Sequence, residues 1–242
     1  MSSKKPPRDS SDSVKKSICG VAVETVSQDG GSAASNSTGF SLHWSPRADS
    51  DAFALRSHQG AVKAWKEGLF DNYVTPVCAA PAFKSIVQDD GPRADTTLDS
   101  LKKIRPAFDK QFGVCTAGNS SFLTDGASAL LLMSYQRAQD LGIQAKAIVK
   151  DYVYRAGDAL TEMLSGPSLT IPFLLKQNGL QVQDIDVWEI HEAFSSQVLA
   201  NLTYLNSSKF AKERLQTDKA VGEIPIEKIN LSNNKKYFRL LI

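Results

Sequence analysis

The feature that most constrains the fold is an apolar segment that runs directly into a helical pattern. Residues 184–190 are largely apolar and bounded by polar residues, which predicts a buried strand. Residues 193–206 place apolar side chains at helical spacing, which predicts a helix. A strand followed at once by a helix is the unit of parallel α/β sheets, and ligands bind beyond the ends of such strands. His191 lies at this junction, where a ring N–H can stabilise a developing oxyanion.

Helical and apolar segments alternate along the rest of the chain. Residues 46–67 predict a helix with Ser45 as N-cap, Pro46 in its first position and an apolar face formed by Leu55, Val62, Trp65 and Leu69. Further helices are predicted at residues 97–103 (or a turn), 134–141 and 170–178, the last of them capped by Thr170. Gly68 is predicted to end the first helix, and Gly142 and Gly179 the last two. Strands are predicted at residues 113–117, 128–133 (or a helix), 145–152 and 226–231. This alternation predicts a mostly parallel sheet.

Composition excludes several classes of protein. The chain has 242 residues, of which 42% are hydrophobic and 22% charged, as in globular proteins. The net charge of +2 gives no electrostatic argument for binding nucleic acid. No apolar run approaches the roughly 20 residues of a transmembrane helix. Residues 1–17 are rich in Pro, Ser and Lys, which predicts a disordered tail, and residues 28–41 predict a flexible loop.

The cysteines and histidines give no metal or disulfide pattern. Cys19, Cys78 and Cys115 are far apart and lack a C-x-x-C spacing. Cys78 and Cys115 are predicted to be buried apolar residues. A zinc-binding His-Glu-x-x-His pattern is excluded because Ser195 stands where the second His is needed. His58 is predicted to be exposed on the polar face of the first helix.

Four stretches resemble the thiolase family, most closely the 3-ketoacyl-CoA thiolases of the trifunctional-enzyme β-subunit type. Residues 50–59 (SDAFALRSHQ) resemble the loop-domain helix. Residues 101–108 (LKKIRPAF) and 116–127 (TAGNSSFLTDGA) resemble the return from the loop domain to the core. Residues 191–194 (HEAF) resemble the family's Asn/His-Glu-Ala-Phe signature.

The resemblance implies an α/β chain with a partial thiolase fold. Thiolases have two βαβαβαββ halves, with a loop domain inserted in the first. The implied division is a disordered tail at residues 1–17, the loop domain at 18–111, the end of the N-terminal domain at 112–142, and the start of a truncated C-terminal domain at 143–242.

The resemblance also implies an activity and a site. The activity is thiolytic cleavage, in which CoA and a 3-ketoacyl-CoA give acetyl-CoA and a shortened acyl-CoA, as in fatty acid β-oxidation. His191 is the implied oxyanion-hole residue, whereas its structural alternative is a core His at a strand end. Arg93, Ser100 and Ser121 match CoA-contacting positions, and their structural alternative is ordinary loop polarity. CoA enters as a substrate, and no cofactor or metal is implied.

Two departures from the family pattern bear on activity. The family's nucleophilic Cys has no match here, because Cys19 lies in an unrelated context, and neither the Gly-His-Pro His nor the Cys-x-Gly Cys is present. We therefore expect this chain alone to be inactive. Because the incomplete second half leaves a sheet edge and apolar helix faces uncovered, we also expect poor solubility or dependence on a partner. The alternative is a non-catalytic thiolase-derived fragment that binds CoA or a thiolase. The resemblance further implies a homodimer, a hydratase/dehydrogenase α-subunit as partner, and a mitochondrial or peroxisome-like location.

Overall fold

The structure, a computed structural model, describes residues 45–158 and 163–231. Its longest element is helix α1, Arg47–Lys66, which ends before Gly68 at a left-handed φ of +66°. The helix matches the predicted range within one residue at each end. Its N-cap position is held by Pro46 rather than by the predicted Ser45, and no side chain caps it. The predicted tail at 1–17, the segment 20–26, the loop at 28–41, Cys19 and the terminal residues 232–242 lie outside the described ranges.

The buried face of α1 differs from the predicted one. Leu55, Val62 and Leu69 are only half-buried. The buried positions are instead occupied mainly by small or polar residues: Ser50, Asp51, Phe53, Ala54, Ala61 and Ala64. Small side chains allow the helix to lie close to its neighbours, so its closest contacts are not made by its largest residues.

Four further helices follow the predictions within a few residues. They are α2 (Leu98–Lys102), α3 (Tyr135–Asp140), α4 (Gly166–Asn178) and α5 (Ser195–Leu205). Thr97 and Ser134 cap α2 and α3 with their side chains, while Gly142 and Gly179 follow α3 and α4 with φ of +64°. Helix α4 begins four residues before the predicted cap Thr170, whose hydroxyl donates to the Gly166 carbonyl. A short α6 (Ser208–Phe210) continues into a π-helical turn, Ala211–Leu215.

The core lies between α1, α4 and α5 and the segment that leads into α5. Trp188 and Ile229 are 1% and 0% exposed and mark its centre. The other members include Phe53 from α1, Ile171 and Leu175 from α4, and Val198 and Leu205 from α5. Each such side chain contributes about 1.5–3 kcal/mol on full burial, so this apolar layer is the main source of stability.

The prediction of a strand is wrong for most of the segments. The described residues contain one antiparallel pair, β1 (Val77–Cys78) with β2 (Ser85–Ile86), and three isolated bridges, of which Trp188 to Ile229 is parallel. Residues 128–133 and 145–152 form no strand and are mostly exposed. Residues 184–190 and 226–231 contribute only the Trp188–Ile229 bridge, with 3₁₀ turns at Val182–Asp184 and Ile226–Lys228. A strand exists only when a neighbour pairs its N–H and C=O groups, and these segments lack such neighbours in the described ranges.

Candidate functional site

His191 lies where the buried segment ending at Ile190 turns into α5. Ile190 is 5% exposed and anchors the turn in the core, whereas His191 is exposed. The His191 ring has no hydrogen-bond partner among the described residues. The turn therefore presents the imidazole to solvent, where a ligand can reach it. His191 is therefore not a buried core histidine, and its oxyanion-hole role stays a prediction.

Glu192 connects this turn to two distant parts of the chain. Its Oε2 accepts a hydrogen bond from the Ser57 hydroxyl on α1 at 2.5 Å. Its Oε1 accepts another from the side-chain amide of Asn230. The residue after His191 is thus held from both α1 and the segment that follows the 3₁₀ turn Ile226–Lys228.

Asn230 is bound to the residues on the other side of His191 as well. Its Oδ1 accepts from the Ile190 N–H at 2.8 Å, and its Nδ2 donates to the Ile190 carbonyl at 2.9 Å. Its own N–H donates to the Trp188 carbonyl at 2.8 Å. Arg56 supports the same segment by donating to the Ile229 carbonyl at 2.5 Å.

A buried polar network fixes the loop at residues 116–121 against α1. The Asp51 carboxylate, 1% exposed, accepts from Arg47 Nε at 2.8 Å and from Asn119 Nδ2 at 2.9 Å. Asn119 Oδ1 accepts from the Thr116 N–H at 2.8 Å. The Asn119 carbonyl in turn accepts from the N–H of Ser195, at the start of α5, at 3.0 Å. One network therefore joins α1, the loop and the first turn of α5.

Ser121 and Arg93 approach the His191 turn through a chain of contacts. The Ser121 N–H donates to the Ala193 carbonyl at 2.8 Å, and its hydroxyl is exposed. The next residue, Phe122, packs against the ring of His58 with centroids 6.2 Å apart. His58 Nδ1 accepts the Arg93 N–H at 3.3 Å. The structure thus brings Arg93, Ser121 and His191 onto connected parts of one surface.

An open pocket of about 340 Å³ lies beside α1 next to this surface. Three cationic side chains line it, namely Lys63, Lys66 and Arg93, together with Gln59, Val62 and Ala94. Cations that converge on an open pocket favour an anionic group such as a phosphate.

Ser100 has a structural role in this arrangement. Its hydroxyl accepts from the Thr97 N–H at 3.0 Å and donates to the Thr97 carbonyl at 2.8 Å, while Thr97 Oγ1 accepts the Ser100 N–H at 3.1 Å. This reciprocal pair is a capping box for α2. Among the residues that the structure describes, no hydrogen bond connects the Ser100 side chain to the His191 turn.

His58 differs from the exposed residue that was predicted, because it is half-buried between Phe122 and the loop at Arg93. Burial, followed by the charge of Arg93, lowers the pKa of His58 below its ordinary value of 6.5, while Glu192 and Asp95 oppose the shift. The His58 imidazole of the unfolded chain, with its ordinary pKa, therefore binds a proton more readily than the same ring in the folded chain.

We expect His58 to make folding weaker in acid. Above pH 6.5 the His58 ring is neutral in both states and does not affect the free energy of unfolding. As the pH falls from 6.5 through the lowered pKa of the folded state, the unfolded chain binds the proton first, and the free energy of unfolding decreases. The free energy of unfolding, measured with urea at pH 7.5 and pH 5, should fall more for the wild type than for His58→Asn, which keeps an acceptor and does not titrate. Equal decreases in both proteins would contradict this assignment.

The two described cysteines differ from each other. Cys115 is buried, as predicted, with its Sγ 3.3 Å from the Ser196 hydroxyl, and burial raises the pKa of its thiol. Cys78 is exposed on β1, so its predicted burial is wrong. A buried thiol with a raised pKa holds little of the reactive thiolate. Among the described residues, no group of three or more His, Cys, Asp or Glu side chains could hold a metal, and no helix there could span a membrane.

Sequence reasoning missed the residues that support His191. Ser57 and Asn230 lie 135 and 38 residues from Glu192, and no local pattern links them. Nothing in the sequence distinguishes Asp51, the centre of the buried network, from an ordinary acidic residue near the start of a helix.

Comparison with known proteins connects this geometry to one family. Residues 10–136 match the family model of the thiolase N-terminal domain, and residues 143–233 match that of the thiolase C-terminal domain. The 3-ketoacyl-CoA thiolase of Shewanella loihica is 46% identical over 186 residues, which is 76% of this chain and 42% of that protein. The chain thus spans about two fifths of the length of the curated relatives that it matches.

Solved structures agree with this relationship. The dimeric peroxisomal thiolase of Saccharomyces cerevisiae matches with a TM-score of 0.65 and 35% identity over 79% of this chain and 44% of that one. The human mitochondrial 3-ketoacyl-CoA thiolase, solved in complex with CoA, matches with a TM-score of 0.64 and 27% identity over 84% of this chain and 46% of that one. The described residues therefore form part of an α/β thiolase fold.

Proposed function

The chain belongs to the thiolase family, and we propose that its His191 surface binds CoA thioesters for the thiolytic cleavage of 3-ketoacyl-CoA. The observation that carries this proposal is the exposed imidazole of His191, held at the start of α5 next to a connected surface that contains Ser121 and Arg93.

The chemistry that we propose follows the family. A Cys thiolate attacks the keto carbonyl of the 3-ketoacyl-CoA, and the bond between Cα and Cβ breaks to leave an acyl-enzyme and the enolate of acetyl-CoA. A second Cys supplies the proton that converts this enolate to acetyl-CoA. The second Cys then takes the proton of the free CoA thiol, and the CoA thiolate accepts the acyl group and releases the first Cys as a thiolate. His191 donates its ring N–H to the thioester oxygen while the enolate carries negative charge there.

The same surface offers contacts for the rest of CoA. Arg93, Lys63 and Lys66 supply positive charge for phosphate groups, and the exposed Ser121 hydroxyl suits a pantetheine amide. The contact predicted for Ser100 stays a prediction, although its hydroxyl already caps α2.

We expect binding without turnover from this chain alone. The buried Cys115 holds little thiolate, and Cys78 lies on the exposed hairpin of β1 and β2. The second candidate function, a non-catalytic protein that binds CoA or a thiolase chain, agrees with the same observation and differs in that it assigns no oxyanion to His191, so His191→Ala would then bind acetoacetyl-CoA as tightly as the wild type does.

Calorimetric titration with CoA and with acetoacetyl-CoA tests the proposal. The wild type should bind both ligands, whereas His191→Ala should bind acetoacetyl-CoA about tenfold more weakly, which corresponds to about 1.4 kcal/mol for one lost hydrogen bond. Its affinity for CoA should not change, because CoA lacks the thioester oxygen. Arg93→Ala should weaken both ligands alike.

The controls separate binding from chemistry. A thiolysis assay that follows loss of the 3-ketoacyl enolate absorbance should show no turnover with the wild type. Turnover at ordinary enzyme rates would show that Cys19, Cys78 or Cys115 does the chemistry. If neither CoA nor acetoacetyl-CoA binds to folded protein, the proposed function is wrong.

The wider context rests on the family alone. We propose that the protein forms a homodimer; the Saccharomyces cerevisiae thiolase is dimeric. A hydratase/dehydrogenase α-subunit as partner, and the division into a loop domain at 18–111, an N-terminal part at 112–142 and a C-terminal part at 143–242, remain proposals. The mitochondrial location is not supported by the curated relatives, which come from bacteria.

A further inference from the structure

We infer that Asn230 is a positioning residue that fixes the direction in which the His191 imidazole faces. The inference rests on the proposed role of His191 for its functional meaning. Asn230 is 5% exposed, so it lies beneath the surface and acts on a ligand only through the residues that it holds.

Backbone pairing with the segment before His191 ends at Asn230. The Trp188 N–H donates to the Lys228 carbonyl at 2.9 Å, and the Asn230 N–H donates to the Trp188 carbonyl at 2.8 Å, which makes the parallel bridge. Asn230 then adopts a left-handed φ of +49°, which Asn tolerates better than most residues and which turns the backbone away. Backbone pairing therefore stops at Trp188, three residues before His191.

The Asn230 side chain continues this pairing along the backbone, at Ile190. A primary amide presents an acceptor and a donor in one plane, as a peptide group does. Asn230 uses both on Ile190, at 2.8 Å to its N–H and 2.9 Å to its carbonyl. Ile190 is thereby fixed on both sides of its backbone immediately before His191.

Asn230 also holds Glu192, the residue after His191. The Asn230 Nδ2 also donates to Glu192, whose other carboxylate oxygen accepts from Ser57 at 2.5 Å. His191 is thus the one residue between two neighbours that are both fastened to Asn230, while its ring stays unbound among the described residues. This arrangement holds the backbone of His191 and leaves its side chain available to a ligand.

Three substitutions separate the side chain from the backbone. Asn230→Gly suits the left-handed backbone and removes every side-chain hydrogen bond. Asn230→Asp keeps the size and one acceptor but replaces the donor with an oxygen that faces the Ile190 carbonyl and the Glu192 carboxylate. Asn178→Asp is the matched control, because Asn178 Nδ2 also donates to a carboxylate, Asp151 Oδ2 at 2.7 Å, and to a carbonyl, Leu174 at 3.0 Å, on α4.

Hydrogen exchange and the histidine NMR signals provide the readouts. In Asn230→Gly the amide of Ile190 should exchange at least tenfold faster, while the amide of Val198 on α5 keeps its rate and shows that the fold is intact. The His191 imidazole signal, assigned with His191→Gln, should move or broaden in both Asn230 variants and stay in place in Asn178→Asp. An unchanged Ile190 rate or an unmoved imidazole signal in a folded Asn230 variant overturns the inference.

A further variant keeps the inference falsifiable if both Asn230 variants fail to fold. Ser57→Ala removes one partner of Glu192 and leaves the left-handed residue intact, so it should move the imidazole signal by a smaller amount. An unmoved signal there overturns the inference.

Ligand binding then separates this inference from the proposed function. In Asn230→Asp the affinity for acetoacetyl-CoA should fall about tenfold, while the affinity for CoA stays the same. If the wild type binds no acetoacetyl-CoA, the proposed function fails, whereas the exchange rate and the imidazole signal still decide the positioning role.

Discussion

Replacing Asp51 with alanine is expected to lower the free energy of unfolding by about 3–5 kcal/mol, the usual cost of removing one partner from a buried ion pair. The Asp51 side chain is 1% exposed and accepts from both Arg47 and Asn119. Its loss leaves the Arg47 charge without its carboxylate and frees the loop at residues 116–121. Because domains are stable by only about 5–15 kcal/mol, the variant should be close to unfolding.

The matched control is Asp49→Ala, two residues away in the exposed first turn of α1. This variant loses only a favourable interaction with the helix dipole, which contributes about 0.3–1 kcal/mol. Urea unfolding of the two variants at pH 7.5 provides the comparison. Equal losses in the two would show that the buried network contributes no more than an exposed charge does.

Trp188→Ala should be comparably severe, with a loss of about 3–5 kcal/mol. Trp188 is 1% exposed and packs within the core cluster, so its removal leaves a large cavity at the base of the His191 turn. The same substitution should also weaken the parallel bridge between Trp188 and Ile229, because both residues belong to the core cluster that the cavity would disturb. Chemical denaturation followed by circular dichroism measures the effect without relying on tryptophan fluorescence.

Trp188→Phe distinguishes lost packing from lost hydrogen bonding. The indole N–H of Trp188 is buried and has no acceptor among the described residues. Phenylalanine therefore removes ring volume without breaking a hydrogen bond, and the loss should be less than half that of Trp188→Ala. A loss as large as that of alanine would mean that the indole N–H has an acceptor after all.

The helices were predictable because their signals are local. The capping side chains of Thr97 and Ser134 and the glycines after α1, α3 and α4 lie within a few residues of the ends that they define. The one large error in register was Thr170, where a hydroxyl inside α4 has the composition of a cap. Strands were not predictable in this way, since a strand depends on a partner elsewhere in the chain.

The residues of the candidate site also differ in whether a local pattern in the sequence predicts them. His191 could be found from sequence because a junction between an apolar segment and a helix is a local pattern, and Arg93 and Ser121 came from the family resemblance. Asn230 and Ser57 could not be found, because their importance arises only when distant segments meet at Glu192. Side-chain pairing over such separations leaves no periodicity in the sequence.

The exposed leucines of residues 128–133 affect the fate of this chain in a cell. Leu130, Leu131 and Leu132 are 76%, 79% and 73% exposed, in a segment without regular structure. Chaperones and proteases triage proteins by such accessible apolar stretches, which ordinarily appear only after unfolding. A folded molecule that displays such a stretch offers chaperones the same binding surface, so we expect the accessibility of these leucines, rather than the stability of the core, to set how strongly a chaperone binds this chain.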